Sequence, residues 1–230
     1  MRRFDFVLLD ADNTLFDFDL AEHLALERAM TERGLPFNEE TEQIYLGHNR
    51  TLWAAFDRGE VDQPFLLVER FRRLNESLGG SSDPAQFNRD YLTYVGQCSV
   101  LYDTSLALCR DLAEAGCVLA LATNGVARVQ HARMEDSPLR QYVPHLFISE
   151  ELQAQKPQEA FFRPILEQLG VTDPARCVMV GDNLGSDILG GLRMGLPTIW
   201  FNPKHLPGRE DIVPTYIAHT HQEIKELILR

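Results

Sequence analysis

Apolar and polar positions divide this chain into two kinds of pattern. Short continuous apolar runs stand at residues 6–9, 118–122, 177–180 and 198–201, with a shorter one at 146–148. Runs of that length without polar alternation suit strands buried on both faces, as in a parallel sheet. Stretches with helical spacing lie between them, at 105–115, 128–136, 160–169 and 186–194. Three of these run into a glycine (Gly116, Gly170, Gly195) that suits a helix C-terminus. Alternating strands and helices predict an α/β fold with a doubly wound, Rossmann-like parallel sheet. Residues 20–95 break the pattern. They show helical spacing only, over 20–33, 39–57, 63–78 and 84–95, with breaks at Gly34-Leu35-Pro36, at Gly59 and at Gly79–Pro84. The first strand must join the sheet, so this block reads as an all-helical insertion. The expected organisation is an α/β core of residues 1–15 and 97–230 around a helical domain of residues 16–96, with hinges near 16–18 and 96–101.

Composition narrows the function. At 230 residues the chain is long enough for one large core with a smaller insert. A formal charge of −12 argues against binding nucleic-acid polymers, which need basic patches. It does not exclude a small phosphorylated substrate, which needs only local positive charge. Cys98, Cys109, Cys117 and Cys177 show no metal-ligand spacing and read as reduced thiols. With no apolar run of membrane-spanning length and no signal-peptide pattern at the start, the expected location is cytoplasmic.

The chemistry begins at Asp10-Ala11-Asp12-Asn13-Thr14, directly after the first apolar run. Two carboxylates this close, at the carboxyl end of a strand, ask for a hard metal ion, for acid–base chemistry, or for both. Other polar groups follow later strands: Thr123-Asn124-Gly125, and Gly181-Asp182 with Asp187 beyond. Lys156-Pro157 opens a predicted helix between them. Gly185, Gly190, Gly191 and Gly195 do not form a G-x-G-x-x-G loop, and the histidines form no H-E-x-x-H pair.

These four motifs, in this order, resemble the haloacid dehalogenase superfamily, most of whose members are Mg²⁺-dependent phosphohydrolases. The resemblance implies an aspartyl-phosphate mechanism with Asp10 as nucleophile and Asp12 as general acid and base. It implies Mg²⁺ held by Asp10, Asp182 and the backbone carbonyl of Asp12, with Asp187 acting one layer out through a water or Lys156. Thr123, Asn124 and Gly125 would hold phosphate oxygens, Lys156 would neutralise the nucleophile and phosphoryl group, and a Thr14 side-chain hydrogen bond would order the loop. The helical insert corresponds to a cap that selects the substrate.

Residues 10–19, Ile148-Ser149-Glu150-Glu151, residues 181–191 and Ile199-Trp200-Phe201-Asn202-Pro203 are similar to the bacterial pyrimidine 5′-nucleotidase-like branch. The segment Asn49-Arg50-Thr51-Leu52-Trp53, followed by Gly59, is similar to its cap. That points to a phosphomonoesterase of nucleoside monophosphates, with Asn49 or Arg50 reading a base edge or ribose and Trp53 or Phe56 stacking on the base. A glycine usual before the lysine is replaced here by the run Leu152-Gln153-Ala154-Gln155, and a usual proline by Glu159. The competing readings are a sugar-phosphate phosphatase or phosphomutase on the same fold and, remotely, an Asp-phosphorylated signalling module.

Overall fold

The computed structural model describes residues 2–230; Met1 lies outside them. The described residues form two compact units, one of residues 2–18 with Val100–Arg230 and one of Asp19–Ser99. The divisions fall three residues later than the sequence places them on each side of the insert.

The first unit is built on a six-stranded, wholly parallel sheet. Its strands are β1 (Phe6–Leu9), β2 (Val118–Thr123), β3 (His145–Ile148), β4 (Cys177–Gly181), β5 (Thr198–Phe201) and β6 (Tyr216–Ala218). The spatial order is β3-β2-β1-β4-β5-β6. Alternate residues face opposite sides of the sheet and both sides are covered, which is why the central strands carry no polar position before the last residue of β2. Val7, Leu9, Leu119, Leu121, Val178 and Val180 enter one buried cluster, packed with Leu108 and Leu112 of α5 (Ser105–Glu114) and Ile224 and Ile228 of α10 (His221–Leu229). Leu8, Ala120, Ala122, Cys177 and Met179 enter another, under Phe161, Phe162 and Ile165 of α8 (Glu159–Leu169). Successive strands move outward from β1 through β2 to β3, then the chain returns to β4 on the other side of β1. The loops leaving β1 and β4 therefore diverge at the carboxyl edge, where parallel sheets of this kind bind ligands.

The second unit contains α1 (Phe18–Thr31) apart from its first residue, α2 (Glu39–Asp57), α3 (Gln63–Leu78) and α4 (Pro84–Gln97). Their ends are written locally. Asn38 and Thr41 form a reciprocal capping box, and Asp62 and Asp83 cap the next two helices with Pro in the first turn. Gly79 closes α3 in the left-handed conformation at φ 67°. The interior holds an aromatic group in which Phe71 stacks on Phe87 at 4.3 Å and on Tyr45 at 5.4 Å.

Two differences from the sequence reading lie in the first unit. The helix expected over 186–194 opens with a π-helical turn at Leu184–Ile188 before α9 (Leu189–Arg193). The reading also stopped at Phe201 and missed β6 and α10. β6 is only the three residues Tyr216-Ile217-Ala218, a run too short to stand out in the pattern. Helix α10 does carry a start signal, Thr220 followed three residues on by Glu223, and Thr220 caps the Glu223 N–H at 3.1 Å. Among the described residues no helix is long and apolar enough to cross a membrane.

Candidate active site

Three adjacent strands deliver the polar residues to one edge. Asp10 continues β1 by one residue and donates its N–H to the Val180 carbonyl of β4 at 2.9 Å. Thr123 ends β2, and its hydroxyl accepts the Gly125 N–H at 3.0 Å. Asp182 directly follows β4. Lys156 comes from the loop before α8, and this loop is fixed by Asn124. The Asn124 amide donates to the Lys156 carbonyl at 3.0 Å and accepts its N–H at 2.9 Å. The Asn124 side chain thus builds the lysine loop.

From that position the Lys156 ammonium, only 2 % exposed, donates to Asp10 at 2.5 Å, to Asp187 at 2.6 Å and to the Ala122 carbonyl at 2.8 Å. Asp187 sits in the π-helical turn, with its second oxygen accepting the Asn183 N–H at 3.0 Å. Gly181 makes room for it: a Cβ there would lie 2.2 Å from the Asp187 carboxylate. The glycine of the Gly181-Asp182 pair is therefore demanded by Asp187.

The electrostatics are unbalanced. Carboxylate oxygens of Asp10, Asp182 and Asp187 all lie within 4.8 Å of one another, beside a single ammonium. Burial, then the neighbouring carboxylates, raises Asp10 to about 7 against the pull of Lys156. Burial first, then Asp10 and Asp187, holds Asp182 well above the usual carboxylate range. Burial disfavours the Lys156 charge, but Asp10 and Asp187 outweigh it and hold the ammonium above its ordinary pKa. Three oxygen donors with a surplus of negative charge fit a hard divalent cation such as Mg²⁺. Of the residues expected on the metal side, Asp10, Asp182 and Asp187 come together; the Asp12 carboxylate is engaged elsewhere.

Asp12 turns to α6 (Ala127–Glu135). Its oxygens accept from Arg133 Nη1 at 2.5 Å and from Gln130 Nε2 at 2.9 Å. The repulsion expected between Asp10 and Asp12 is thus relieved by two different cations, Lys156 and Arg133. Gln130 and Arg133 were missed in the sequence. Their signal was faint: two polar residues three apart on the face that also buries Val129 and Met134.

The loop after β1 also differs from expectation. The Thr14 hydroxyl is buried without a hydrogen-bond partner, so it does not order the loop. The Thr14 carbonyl does, accepting from His221 Nε2 at 2.8 Å while His221 Nδ1 meets the Thr104 hydroxyl at 2.8 Å. Burial lowers the His221 pKa, which favours a neutral ring that donates from Nε2 and accepts at Nδ1.

In the helical unit, Asn49 is 5 % exposed and its amide is occupied on both sides, donating to Glu22 at 2.8 Å and accepting from Arg70 at 3.1 Å. Its side chain is part of that unit's interior, contrary to the base-reading role expected for it. Arg50 is exposed, with Nε on the Leu46 carbonyl of its own helix. Trp53 is half-buried and packs edge-on to Phe56 at 5.5 Å.

Comparison with known proteins places this geometry. Residues 4–195 match the family described as haloacid dehalogenase-like hydrolase. The pyrimidine 5′-nucleotidase PynA of Streptococcus pneumoniae is 33 % identical over 98 % of this chain and 95 % of its own length. The pyrimidine 5′-nucleotidase YjjG of Escherichia coli is 32 % identical over 99 % of both chains. The crystal structure of the HAD-hydrolase YfnB of Bacillus subtilis bound to magnesium superposes with a TM-score of 0.93 at 30 % identity, covering 99 % of each chain.

Proposed function

This chain belongs to the haloacid dehalogenase-like hydrolase family, and we propose that within it the chain is a 5′-nucleotidase that removes phosphate from pyrimidine nucleoside monophosphates. The reading is carried by one observation: a buried carboxylate cluster in negative surplus around Lys156, at the switch point between β1 and β4. The relatives named as pyrimidine 5′-nucleotidases supply the substrate class.

In the proposed reaction an Asp10 oxygen attacks phosphorus, and the bond from phosphorus to the ribose oxygen breaks. The departing oxygen takes a proton from Asp12. Asp12, now a carboxylate, takes a proton from water as that water attacks the aspartyl-phosphate; the bond from phosphorus to Asp10 breaks, and phosphate leaves. Lys156 holds Asp10 and offsets negative charge at the phosphoryl group; the Thr123 hydroxyl, oriented by the Gly125 N–H that it accepts, would donate its proton to a phosphoryl oxygen beside the backbone N–H of Asn124. Mg²⁺, for which Asp10, Asp182 and the Asp12 carbonyl are the proposed donors, with Asp187 supporting them, would supply positive charge to the transferring group. The helical insert, expected over residues 16–96, would serve as the cap, with Arg50 and Trp53 as base contacts and Asn49 supporting their helix from within.

Phosphate release from a panel of nucleoside monophosphates and sugar phosphates, with Mg²⁺, tests this. The expected result is a preference for pyrimidine monophosphates. A preference for sugar phosphates would overturn the substrate assignment and leave the chemistry.

A further inference from the structure

We propose that Gln130 and Arg133 are positioning residues that set the Asp12 carboxylate in place for proton transfer. The inference deepens the proposed phosphatase reading and rests on its assignment of Asp12 as acid and base.

Three independent features converge on Asp12. The first is the pair of donors. Gln130 and Arg133, 1 % and 0 % exposed, come from one face of α6 and take one carboxylate oxygen each. A carboxylate oxygen has two lone-pair sites, so one donor on each fixes the plane of the group and still leaves a site that can carry the proton given to the leaving oxygen and then accept one from water. With a quarter of its side chain exposed, Asp12 is reachable from solvent.

The second is how Arg133 is held. Its guanidinium lies over the Phe16 ring, 4.1 Å from the centroid. Phe16 closes the loop that carries Asp12: its carbonyl accepts the Asn13 N–H at 2.8 Å, and its own N–H bonds back to Ala11 at 2.9 Å. Asn13 takes a left-handed conformation, φ 57°, which asparagine tolerates better than most residues. Arg133 therefore holds both the carboxylate and the turn beneath it.

The third is Gly125. A Cβ at this position would lie 2.1 Å from Gln130 Nε2 and 3.0 Å from its Cδ. The glycine of the Thr123-Asn124-Gly125 motif clears the path by which Gln130 reaches Asp12. A motif expected to serve phosphate alone is thereby tied to the acid–base residue.

Positioning of this kind matters because a small misplacement of a reacting group costs rate steeply. An Asp12 that served only as counter-ion to a buried arginine would need no second donor and no glycine to admit it.

The test compares two esters with the full chain and Mg²⁺. Uridine monophosphate has a poor alkoxide leaving group that needs a proton. p-Nitrophenyl phosphate has a good phenolate leaving group that does not. Asp12→Ala should lower kcat/KM on the nucleotide by on the order of 10²–10⁴-fold and on the aryl ester far less, because kcat/KM reports phosphoryl transfer to Asp10 and not the hydrolysis step that both esters share. Gln130→Met, which keeps the volume and removes the donor, should show the same selectivity in kcat/KM at about tenfold. Arg133→Met should exceed it, and Arg133→Lys should recover part of the loss. Equal losses on both esters in Gln130→Met, or none, would overturn the positioning role while Asp12 kept its own selectivity. Equal losses in Asp12→Ala would overturn the acid–base assignment itself, and the inference with it. If Arg133→Met does not fold, Gln130→Met decides the question.

Discussion

Each unit of this protein buries a charged cluster, and the two clusters are built on opposite principles. In the helical unit Glu22 meets Arg70 through Asn49, while Arg70 also donates to Asn88 at 2.9 Å and Tyr91 donates to Glu22 at 3.2 Å. One carboxylate balances one guanidinium, with neutral amides and a phenol filling the remaining bonds. The cluster at the sheet edge sets three carboxylates around one ammonium, leaving Asp182 in excess. A closed network with one acid to one base fixes packing within a bundle. A network with surplus charge is incomplete without a cation. The residue types barely differ; the balance of charge separates a structural cluster from a reactive one.

The largest effect that would break this comparison is on catalysis. Asp10→Asn is expected to lower phosphate release by about 10⁴-fold or more, with folding intact because one surplus charge is removed. Circular dichroism and a phosphate assay check both halves; retained turnover would remove Asp10 as nucleophile. Next in size, chelation of divalent ions should silence the enzyme reversibly, and Mg²⁺ should raise the wild-type Tm through linkage to the folded state. Undiminished activity in chelator would refute the metal assignment.

In the helical unit the same kind of change should act on stability. Arg70→Met strands Glu22 and is expected to cost about 3–5 kcal/mol in denaturant unfolding. Adding Glu22→Gln should recover part of that loss, because the uncompensated charge is gone. Additive losses would show that the two residues are not coupled through Asn49.

The smallest effect is a pH dependence. Burial raises Glu22 to about 7, against Arg70. The folded state then holds this proton more tightly than the unfolded chain does. The stability it contributes is complete below about pH 4.5 and is lost as pH rises through about 7. Relative to Glu22→Gln, the wild type should lose about 3 kcal/mol across that window, at about 1.4 kcal/mol per pKa unit. A flat difference would show that Glu22 is charged throughout.

Much of this protein is decided by short stretches of sequence. Helix α2 runs over 39–57 as its pattern predicts, because Asn38 and Thr41 cap each other three residues apart. The central strands read as continuous apolar runs because helices cover both faces of the sheet, and the acidic and glycine motifs stand where those runs end. Those are local facts, and from them Asp10, Thr123, Lys156, Asp182 and Asp187 are expected at one edge, where Asp10, Lys156, Asp182 and Asp187 do come together. What each side chain touches is a different matter. Asn49 sits among residues with helical spacing, and nothing nearby says that Glu22 and Arg70 will close on its amide. Asp12 meets donors more than a hundred positions along the chain, and Gly125 makes way for one of them. Periodicity assigns a residue to a face, but only the assembled fold decides what lies opposite it. The sequence by itself determined the elements, the order of the motifs and the type of chemistry. The tertiary structure alone decided which cation answers each carboxylate, because those contacts form between segments that no local pattern links.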